Sequence, residues 1–147
     1  MIAVTSLEHI HKKGRFGNYQ KQDGKNLLQI SEVKNLTIIQ LVQYKRSKIQ
    51  PNTIKVEDLD LPLENQKVTA NKETRILWSA PRTWLIISSK KNIINNIKDK
   101  CDHENFAVTD ISHSRAVIQI KGLQAKEVLK KGCPINFNEF EKNNCAG

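Results

Sequence analysis

The sequence predicts an α+β fold in which helices pack on one face of a mostly antiparallel sheet. Two stretches, residues 73–101 and 106–133, are each predicted to form a strand, a turn, a second strand and a helix. Within them, apolar residues recur with period two in the strands and at helical spacing in the helices. Because each helix follows a pair of adjacent strands, the helices are expected to lie together against a single antiparallel sheet.

The first 26 residues are predicted to form a short helix and a loop rich in glycine and other helix breakers. Two strands, 27–33 and 36–44, are expected next, separated by a tight turn at Lys34–Asn35. The second of these strands is apolar on both faces, which is typical of a buried central strand. Residues 45–72 are polar and show no sustained period, so at most one short helix is expected there.

The pattern is clearer from Glu73 onward. Strands are predicted at 75–79 and 84–88 around a turn at 80–83, with Ser89 as the N-cap of a helix from Lys90 to Cys101. The buried stripe of that helix is predicted to be Ile93, Ile94 and Ile97.

The same order of elements is predicted to repeat. Strands are expected at 106–112 and 115–121 around a turn at His113–Ser114, followed by a helix at 124–131 that buries Ala125, Val128 and Leu129. Gly132 is predicted to end this helix from the C′ position.

The chain is predicted to be a single domain spanning 1–147, with an α+β core at 27–147. A length of 147 residues suits one domain with a real core. The stretch after Pro134 is polar and lacks the apolar strand that would close the sheet. We therefore expect the core to be C-terminally incomplete, without its last strand and helix.

Composition excludes several classes of protein. No run approaches the ~18 apolar residues of a membrane span, and the N-terminus lacks the pattern of a signal peptide, so we expect a cytoplasmic protein. The formal net charge is +9, but only five of the 24 basic residues are Arg, and aromatic residues are few. Because nucleic-acid readout favours Arg and stacking aromatics, no nucleic-acid partner is expected.

Three motifs contain side chains that can carry chemistry, and for each a structural role is favoured. His9 and His11 are two residues apart without accompanying ligands, so a metal site is not expected. In Cys101-Asp102-His103 and Lys131-Gly132-Cys133 the thiol follows a helix C-terminus, where the dipole disfavours a thiolate. Three cysteines without a C-x-x-C pair also predict reduced, unpaired thiols.

A polar cluster is predicted at Asp110-x-Ser112-x-x-Arg115. Asp110 and Ser112 can bond to backbone amides at the turn, and Arg115 can reach back to the carboxylate as a fork. The alternative is a polar cluster at a subunit contact. Trp78 and Trp84 flank the Pro81 turn and are expected to be core or interface anchors. The sequence contains no convincing catalytic, cofactor-binding or metal site; the candidate structural or interface residues are Trp78, Trp84, Asp110, Ser112, Arg115 and Cys133.

The segment from Val108 to Pro134 resembles the gamma subunit of heterotetrameric sarcosine oxidase. The family pattern there is Asp-x-Ser, Ser-Arg, an alternating strand, a glycine, and a helix ending in Lys-Gly-Cys-Pro. The matching residues are Asp110, Ser112, Ser114, Arg115, Gly122, Ala125, Leu129, Lys131, Gly132, Cys133 and Pro134. Upstream, the family's Leu-Trp-x-x-Pro-x-x-Trp-Leu segment is matched by Trp78, Pro81, Trp84 and Leu85, and its N-terminal Gly-x-Phe-Gly turn by residues 14–17.

This resemblance implies a fold similar to the folate-binding domain of the glycine cleavage T protein. It implies a non-catalytic chain in a complex that oxidises the N-methyl group of sarcosine and passes the carbon to tetrahydrofolate. FAD, FMN, NAD, zinc and tetrahydrofolate sites are implied in the partner alpha, beta and delta subunits, and no cofactor is implied in this chain. Family members continue beyond the segment matched by Cys145-Ala146, which also favours an incomplete C-terminus here.

Two alternative functions stay open at the level of sequence. The chain could serve the same role in a related N-methyl amino-acid dehydrogenase, such as N-methylglutamate dehydrogenase, because substrate choice would reside in another subunit. From a different class, it could be a stand-alone folate-binding module of the same fold. Some proteins of that class also carry Lys-Gly-Cys, but with an aromatic residue where this chain has Pro134.

Overall fold

A computed structural model of the chain describes residues 7, 9–10, 28–138, 140 and 144–146. These residues fall into two compact units, each described below by itself. Of the described residues, 7, 9–10, 28–34 and 113–138 belong to the first unit, and 35–112, 140 and 144–146 belong to the second. The expectation of one domain across 1–147 stays a prediction.

Strands and helices follow one another along the described part of the chain. The strands are β1 (Gln29–Val33), β2 (Thr37–Gln43), β3 (Lys55–Val56), β4 (Leu59–Asp60), β5 (Val68–Ala70), β6 (Thr74–Ala80), β7 (Thr83–Ser88), β8 (Phe106–Asp110) and β9 (Val117–Lys121). The α-helices are α1 (Ile93–Lys100) and α2 (Ala125–Gly132).

The second unit is built on a five-stranded sheet in the order β5-β6-β7-β2-β8, with every neighbouring pair antiparallel. This confirms the predicted α+β class and the antiparallel sheet. β2 pairs with β7 on one side and with β8 on the other, which confirms that the strand apolar on both faces lies inside a sheet.

The hydrophobic core lies between one face of this sheet and α1. In α1, Ile93 and Ile97 are buried and Ile94 packs beside them, as the helical spacing predicts. Each fully buried isoleucine stabilises the fold by roughly 1.5–3 kcal/mol. From the sheet, the core receives Ile39, Leu41, Ile76, Trp84, Ile86 and Phe106.

The predicted start of α1 is wrong. The helix begins at Ile93 rather than at Lys90, and Asn92 precedes it without a side-chain cap. Ser89 instead continues the sheet, because its backbone N–H donates to the Glu73 carbonyl over 3.0 Å. Residues 90–92 separate Ser89 from the first helical residue, so Ser89 is not at the N-cap position.

The connection 45–72 contains more structure than its sequence indicates. It holds a 3-10 helix, Pro51–Thr53, and the three short strands β3, β4 and β5. The turn between β3 and β4 places Glu57 and Asp58 at φ 51° and 64°, as in a type I′ hairpin. Strands of two or three residues are too short to show a period, so the sequence did not predict them.

The first unit contains a two-stranded sheet of β1 and β9, together with α2. The Lys34–Asn35 turn therefore does not close a hairpin, since β1 pairs with β9. The predicted hairpin at 106–121 is also wrong, because β8 belongs to the five-stranded sheet and β9 to the two-stranded one. The residues between them form a 3-10 turn, Ser112–Ser114.

The helix α2 differs from the prediction in two respects. None of its residues is fully buried and Val128 is exposed, so the predicted burial of Ala125, Val128 and Leu129 is wrong. Gly132 is the last helical residue, and Cys133 follows it in an extended conformation as the C-cap. Gly132 does not adopt a positive φ, so it is not a left-handed C′ glycine. The predicted N-terminal helix lies outside the described residues, apart from a turn in which the Ile10 N–H donates to the Leu7 carbonyl.

Candidate functional site

The residues singled out from the sequence are distributed over both units. Trp78, Trp84, Asp110 and Ser112 belong to the second unit, and Arg115 and Cys133 belong to the first. What each side chain contacts decides its role, since a group already bonded within the fold has little freedom for chemistry.

Trp84 is a core residue. Its side chain is buried on β7, and its indole N–H donates to the carbonyl of buried Pro62 over 2.7 Å. This bond holds the connection before β5 against the sheet. Trp84 therefore anchors the fold rather than a partner.

Trp78 lies opposite Trp84 in the β6–β7 pairing and is half-buried. Its backbone N–H donates to the Lys67 carbonyl over 3.0 Å, and its own carbonyl accepts from the Cys145 thiol over 3.3 Å. Residues 144–146 thus lie beside β6, where Asn144 bridges Lys67. Burial raises the pKa of the Cys145 thiol, which keeps it protonated as a donor.

Asp110 and Ser112 connect the end of β8 to β2 through hydrogen bonds. The Asp110 carboxylate accepts from the backbone N–H of Ser112 over 2.9 Å and from its hydroxyl over 2.5 Å. The Ser112 oxygen in turn accepts from the Ile38 N–H over 2.8 Å. These contacts are those of a turn-stabilising network, one of the two roles predicted for the motif.

Arg115 and Cys133 belong to the first unit. Arg115 is exposed, and Cys133 is half-buried at the end of α2, where its backbone N–H donates to the Leu129 carbonyl. The predicted reach of Arg115 to Asp110 would connect the two units and stays a prediction.

Cys101-Asp102-His103 does not have the geometry of a nucleophile and its base. Cys101 is buried in the core, and burial raises the pKa of its thiol to about 11. Asp102 accepts from the Asn105 side chain and from the backbone N–H groups of Glu104 and Asn105, and these bonds hold its pKa below the usual range. His103 is exposed. This arrangement supports the structural interpretation of the motif.

A group of charged residues that the sequence did not reveal ties the β3–β4 hairpin to the end of β7. The Lys90 ammonium donates to the Glu57 carboxylate and lies 3.6 Å from that of Glu73. The hydrogen bond to Glu57, together with the charges of both carboxylates, raises the pKa of Lys90. Glu57 and Lys90 are far apart in sequence, so no local pattern could have paired them.

The described ranges contain neither a metal centre nor a membrane-spanning helix. In 7, 9–10, 28–138, 140 and 144–146, no three His, Cys, Asp or Glu side chains are grouped so that they could hold a metal ion. No helix in the same part of the chain is long and apolar enough to cross a membrane.

Exposed apolar side chains are concentrated in the first unit. Of the seven large ones found on the described surface, six belong to it, and Leu63 of the second unit is the seventh. Scattered single apolar residues are normal, and a contiguous patch of them is typical of a contact surface. The six are Ile10, Ile30, Ile118, Leu123, Val128 and Ile135.

Comparison with known proteins gives a likeness in fold. No protein-family model matches the chain, and no curated protein matches it. Among solved structures, a chain of the heterotetrameric sarcosine oxidase from Corynebacterium sp. U-96, in complex with pyrrole 2-carboxylate, superposes with a TM-score of 0.72 at 24% identity. The match covers 83% of this chain and 65% of that one, so this chain spans less than two thirds of its neighbour. The likeness confirms, at the level of the fold, the resemblance deduced from the sequence motifs.

Proposed function

We propose that this chain is the non-catalytic gamma-type subunit of a cytoplasmic heterotetrameric sarcosine oxidase. The complex would convert sarcosine, tetrahydrofolate and O2 into glycine, 5,10-methylenetetrahydrofolate and H2O2. Alpha, beta and delta partners would supply the FAD, FMN, NAD, zinc and folate sites, and this chain would bind and stabilise the assembly.

The observation that carries the proposal is the fold shared with a chain of such an oxidase, at a TM-score of 0.72. A second, independent line is the run of motif residues from Asp110 to Pro134, which resembles the gamma subunit in sequence alone. Fold alone does not imply function, but the motif and the fold indicate the same assembly.

The contacts of the polar residues support a non-catalytic role. Asp110 and Ser112 are engaged in stabilising a turn, and Cys101 is a protonated core thiol. A nucleophile needs a base within reach and a lowered pKa, which is the opposite of what Cys101 has.

The surface of the first unit supports a role as a subunit. Its exposed apolar residues, with Leu123 83% exposed, form the kind of surface that a partner protein covers.

The proposal is tested by co-expressing the affinity-tagged chain with candidate alpha, beta and delta subunits of a sarcosine oxidase. We expect a yellow complex that oxidises sarcosine with release of H2O2. Recovery of the chain alone and colourless would overturn the proposal. Assaying the same complex on N-methylglutamate separates the two amino-acid substrates, and titrating the isolated chain with tetrahydrofolate tests the rival of a stand-alone folate module.

A matched pair of variants locates the contact. Leu123→Asp places a charge on the apolar surface of the first unit and is expected to reduce recovery of the complex. Leu63→Asp, at a residue 57% exposed in the second unit, is the control and is expected to leave recovery unchanged.

A further inference from the structure

Two arginine side chains converge on Tyr44 at one end of the five-stranded sheet in the second unit. The Arg46 guanidinium lies over the Tyr44 ring, 5.3 Å from its centre, and its Nε–H donates to the Glu104 carbonyl over 3.3 Å. The Arg82 guanidinium donates from Nη1 to the Tyr44 carbonyl over 3.1 Å. The Tyr44 N–H in turn donates to the Asn105 carbonyl, which fixes the residue at the end of β2. Tyr44, Arg46 and Arg82 are called the arginine corner below.

Arg82 has an unusual backbone conformation. Together with Pro81 it forms the turn between β6 and β7, and its φ is 59°. A positive φ after proline is that of the third residue of a type II turn, where glycine or asparagine is usual. Any other side chain is disfavoured in this left-handed conformation, because its Cβ approaches the following carbonyl oxygen. Backbone strain at an exposed position is a reason to look for a use of the side chain.

The guanidinium groups of the corner have no carboxylate partner among the described residues. Arg46 bonds to the backbone carbonyl of Glu104, and the Glu104 carboxylate lies beyond salt-bridge distance from it. Each guanidinium uses a single N–H in the bonds described above, and both side chains are exposed, so their other donors are open to solvent. Exposed Lys45 and Lys48 add positive charge on the segment that follows β2.

We propose that the arginine corner binds the carboxylates of an acidic segment of a partner protein. A guanidinium donates to a carboxylate as a planar fork, which makes arginine suited to this ligand. Because both guanidinium groups are already held against Tyr44, binding orders them little further. The net charge of +9 also attracts an acidic partner during encounter.

The surroundings of Tyr44 favour a carboxylate over a nucleic acid. Proteins that bind single strands stack the bases on exposed aromatic rings. The Tyr44 ring is half-buried and has Arg46 over it, so it does not offer a stacking platform. A carboxylate needs only the exposed edges of the guanidinium groups. The open cleft beside Arg46, of about 460 Å³ and also lined by Glu104 and Asn105, leaves room for an acidic side chain.

The inference is tested by titrating the blocked tripeptide acetyl-Glu-Ala-Glu-amide into the ¹⁵N-labelled full chain and recording chemical shifts. We expect saturable shifts of the backbone amides of Tyr44, Arg46 and Arg82 and of the Nε–H groups of both arginines. The uncharged peptide acetyl-Gln-Ala-Gln-amide is expected to bind at least about tenfold more weakly, since it lacks the carboxylates.

Matched variants separate the corner from the net charge. Arg82→Gly removes one guanidinium and suits the positive φ, so the turn should persist. This variant and Arg46→Gln are each expected to weaken binding of the acidic peptide at least about fivefold. Arg75→Gln, at an exposed residue near the opposite end of β6, removes the same charge and should weaken it less than about twofold. Glu104→Gln removes a carboxylate from the cleft and should strengthen binding.

An equal loss of binding in Arg75→Gln, or shifts that leave the corner unchanged, would show attraction to the net charge alone and overturn the inference. Tighter binding of an oligothymidylate at the same residues, with the steep salt dependence of phosphate contacts, would overturn it in favour of a nucleic acid. Because the test uses the isolated chain and synthetic probes, the inference can fail while the proposed oxidase role stands, and the reverse.

Discussion

The thiol of Cys101 lies among the side chains that α1 and the five-stranded sheet bury together. At this position the low polarity that makes cysteine a good core residue also prevents it from ionising. Trp84 is a comparable case, since its indole N–H is used inside the fold. Two side chains whose polar groups could take part in chemistry, the Cys101 thiol and the Trp84 indole, are thus buried in the core of the fold.

Raising the pH is expected to destabilise the protein through Cys101. Burial raises its folded-state pKa from 9.0 to about 11, so the unfolded chain loses the thiol proton first and the folded state loses stability as pH rises between those values. Urea unfolding at pH 8 and pH 10.5 should show a loss of about 1–3 kcal/mol in the free energy of unfolding, and a smaller loss in Cys101→Ala.

Lys90 adds a loss of stability at alkaline pH that the wild type and Cys101→Ala share. Its pKa is raised by the hydrogen bond to Glu57, so its stabilising contribution is present below its unfolded value and declines as pH rises through the folded value. Only the difference between wild type and Cys101→Ala therefore reports on the thiol. An equal loss in both would show that Cys101 ionises freely in the folded state.

Trp84→Phe is expected to lower the free energy of unfolding by about 1–3 kcal/mol, because it leaves the buried Pro62 carbonyl without its donor. Urea unfolding followed by circular dichroism measures the change. Trp78→Phe is the control, since Trp78 is only half-buried, and it should cost less. If the two variants cost the same, Trp84 is not the anchor described above.

At the scale of the elements, the end of strand β8 is held by a side-chain hydrogen bond as well as by backbone hydrogen bonds to β2. The Ile111 N–H donates to the Ile38 carbonyl over 2.9 Å, and Ser112 receives the Ile38 N–H. Through these contacts β8 stays paired with β2 up to the last residue of the strand.

Ser112→Ala is expected to reduce stability by about 1–2 kcal/mol, because the Ile38 N–H loses its acceptor. Ser79→Ala, at an exposed position of β6, is the control and should change stability by less than about 0.5 kcal/mol. Thermal unfolding of the three proteins is the measurement. Unchanged stability of Ser112→Ala, combined with loss of the complex, would support the alternative role of the motif as a subunit contact.

Across the whole molecule, burial differs sharply between the two units. The second unit has an extensive core, whereas Phe137 is the only buried residue among those described in the first. A two-stranded sheet is at best marginally stable without further packing.

Backbone amides of β1 and β9 are therefore expected to exchange with solvent at least about 100-fold faster than those of β2 and β7, since local opening costs less where little is buried. Hydrogen exchange followed by mass spectrometry on the isolated chain is the measurement. Equal protection of the two sheets would show that the first unit is stable by itself. If the chain serves as the proposed oxidase subunit, exchange in β1 and β9 should slow when the complex forms.

Much of the fold could be predicted from local pattern. The apolar β2 sequence predicted a central strand, the 75–88 stretch predicted a hairpin, and Ile93, Ile94 and Ile97 predicted the buried side of α1. The same reasoning assigned wrong partners to β8 and to β1, because a strand's sequence shows which faces are buried but not which distant strand will pair with it.

The sequence by itself determined the antiparallel α+β class, the order of the long elements and the motifs that resemble those of a sarcosine oxidase gamma subunit. Only the tertiary structure decided that β1 pairs with β9, that Ser112 satisfies Ile38, and that Lys90 meets Glu57. The reason is physical: periodicity is a property of neighbouring residues, whereas hydrogen-bond satisfaction depends on groups that folding brings together from distant parts of the chain.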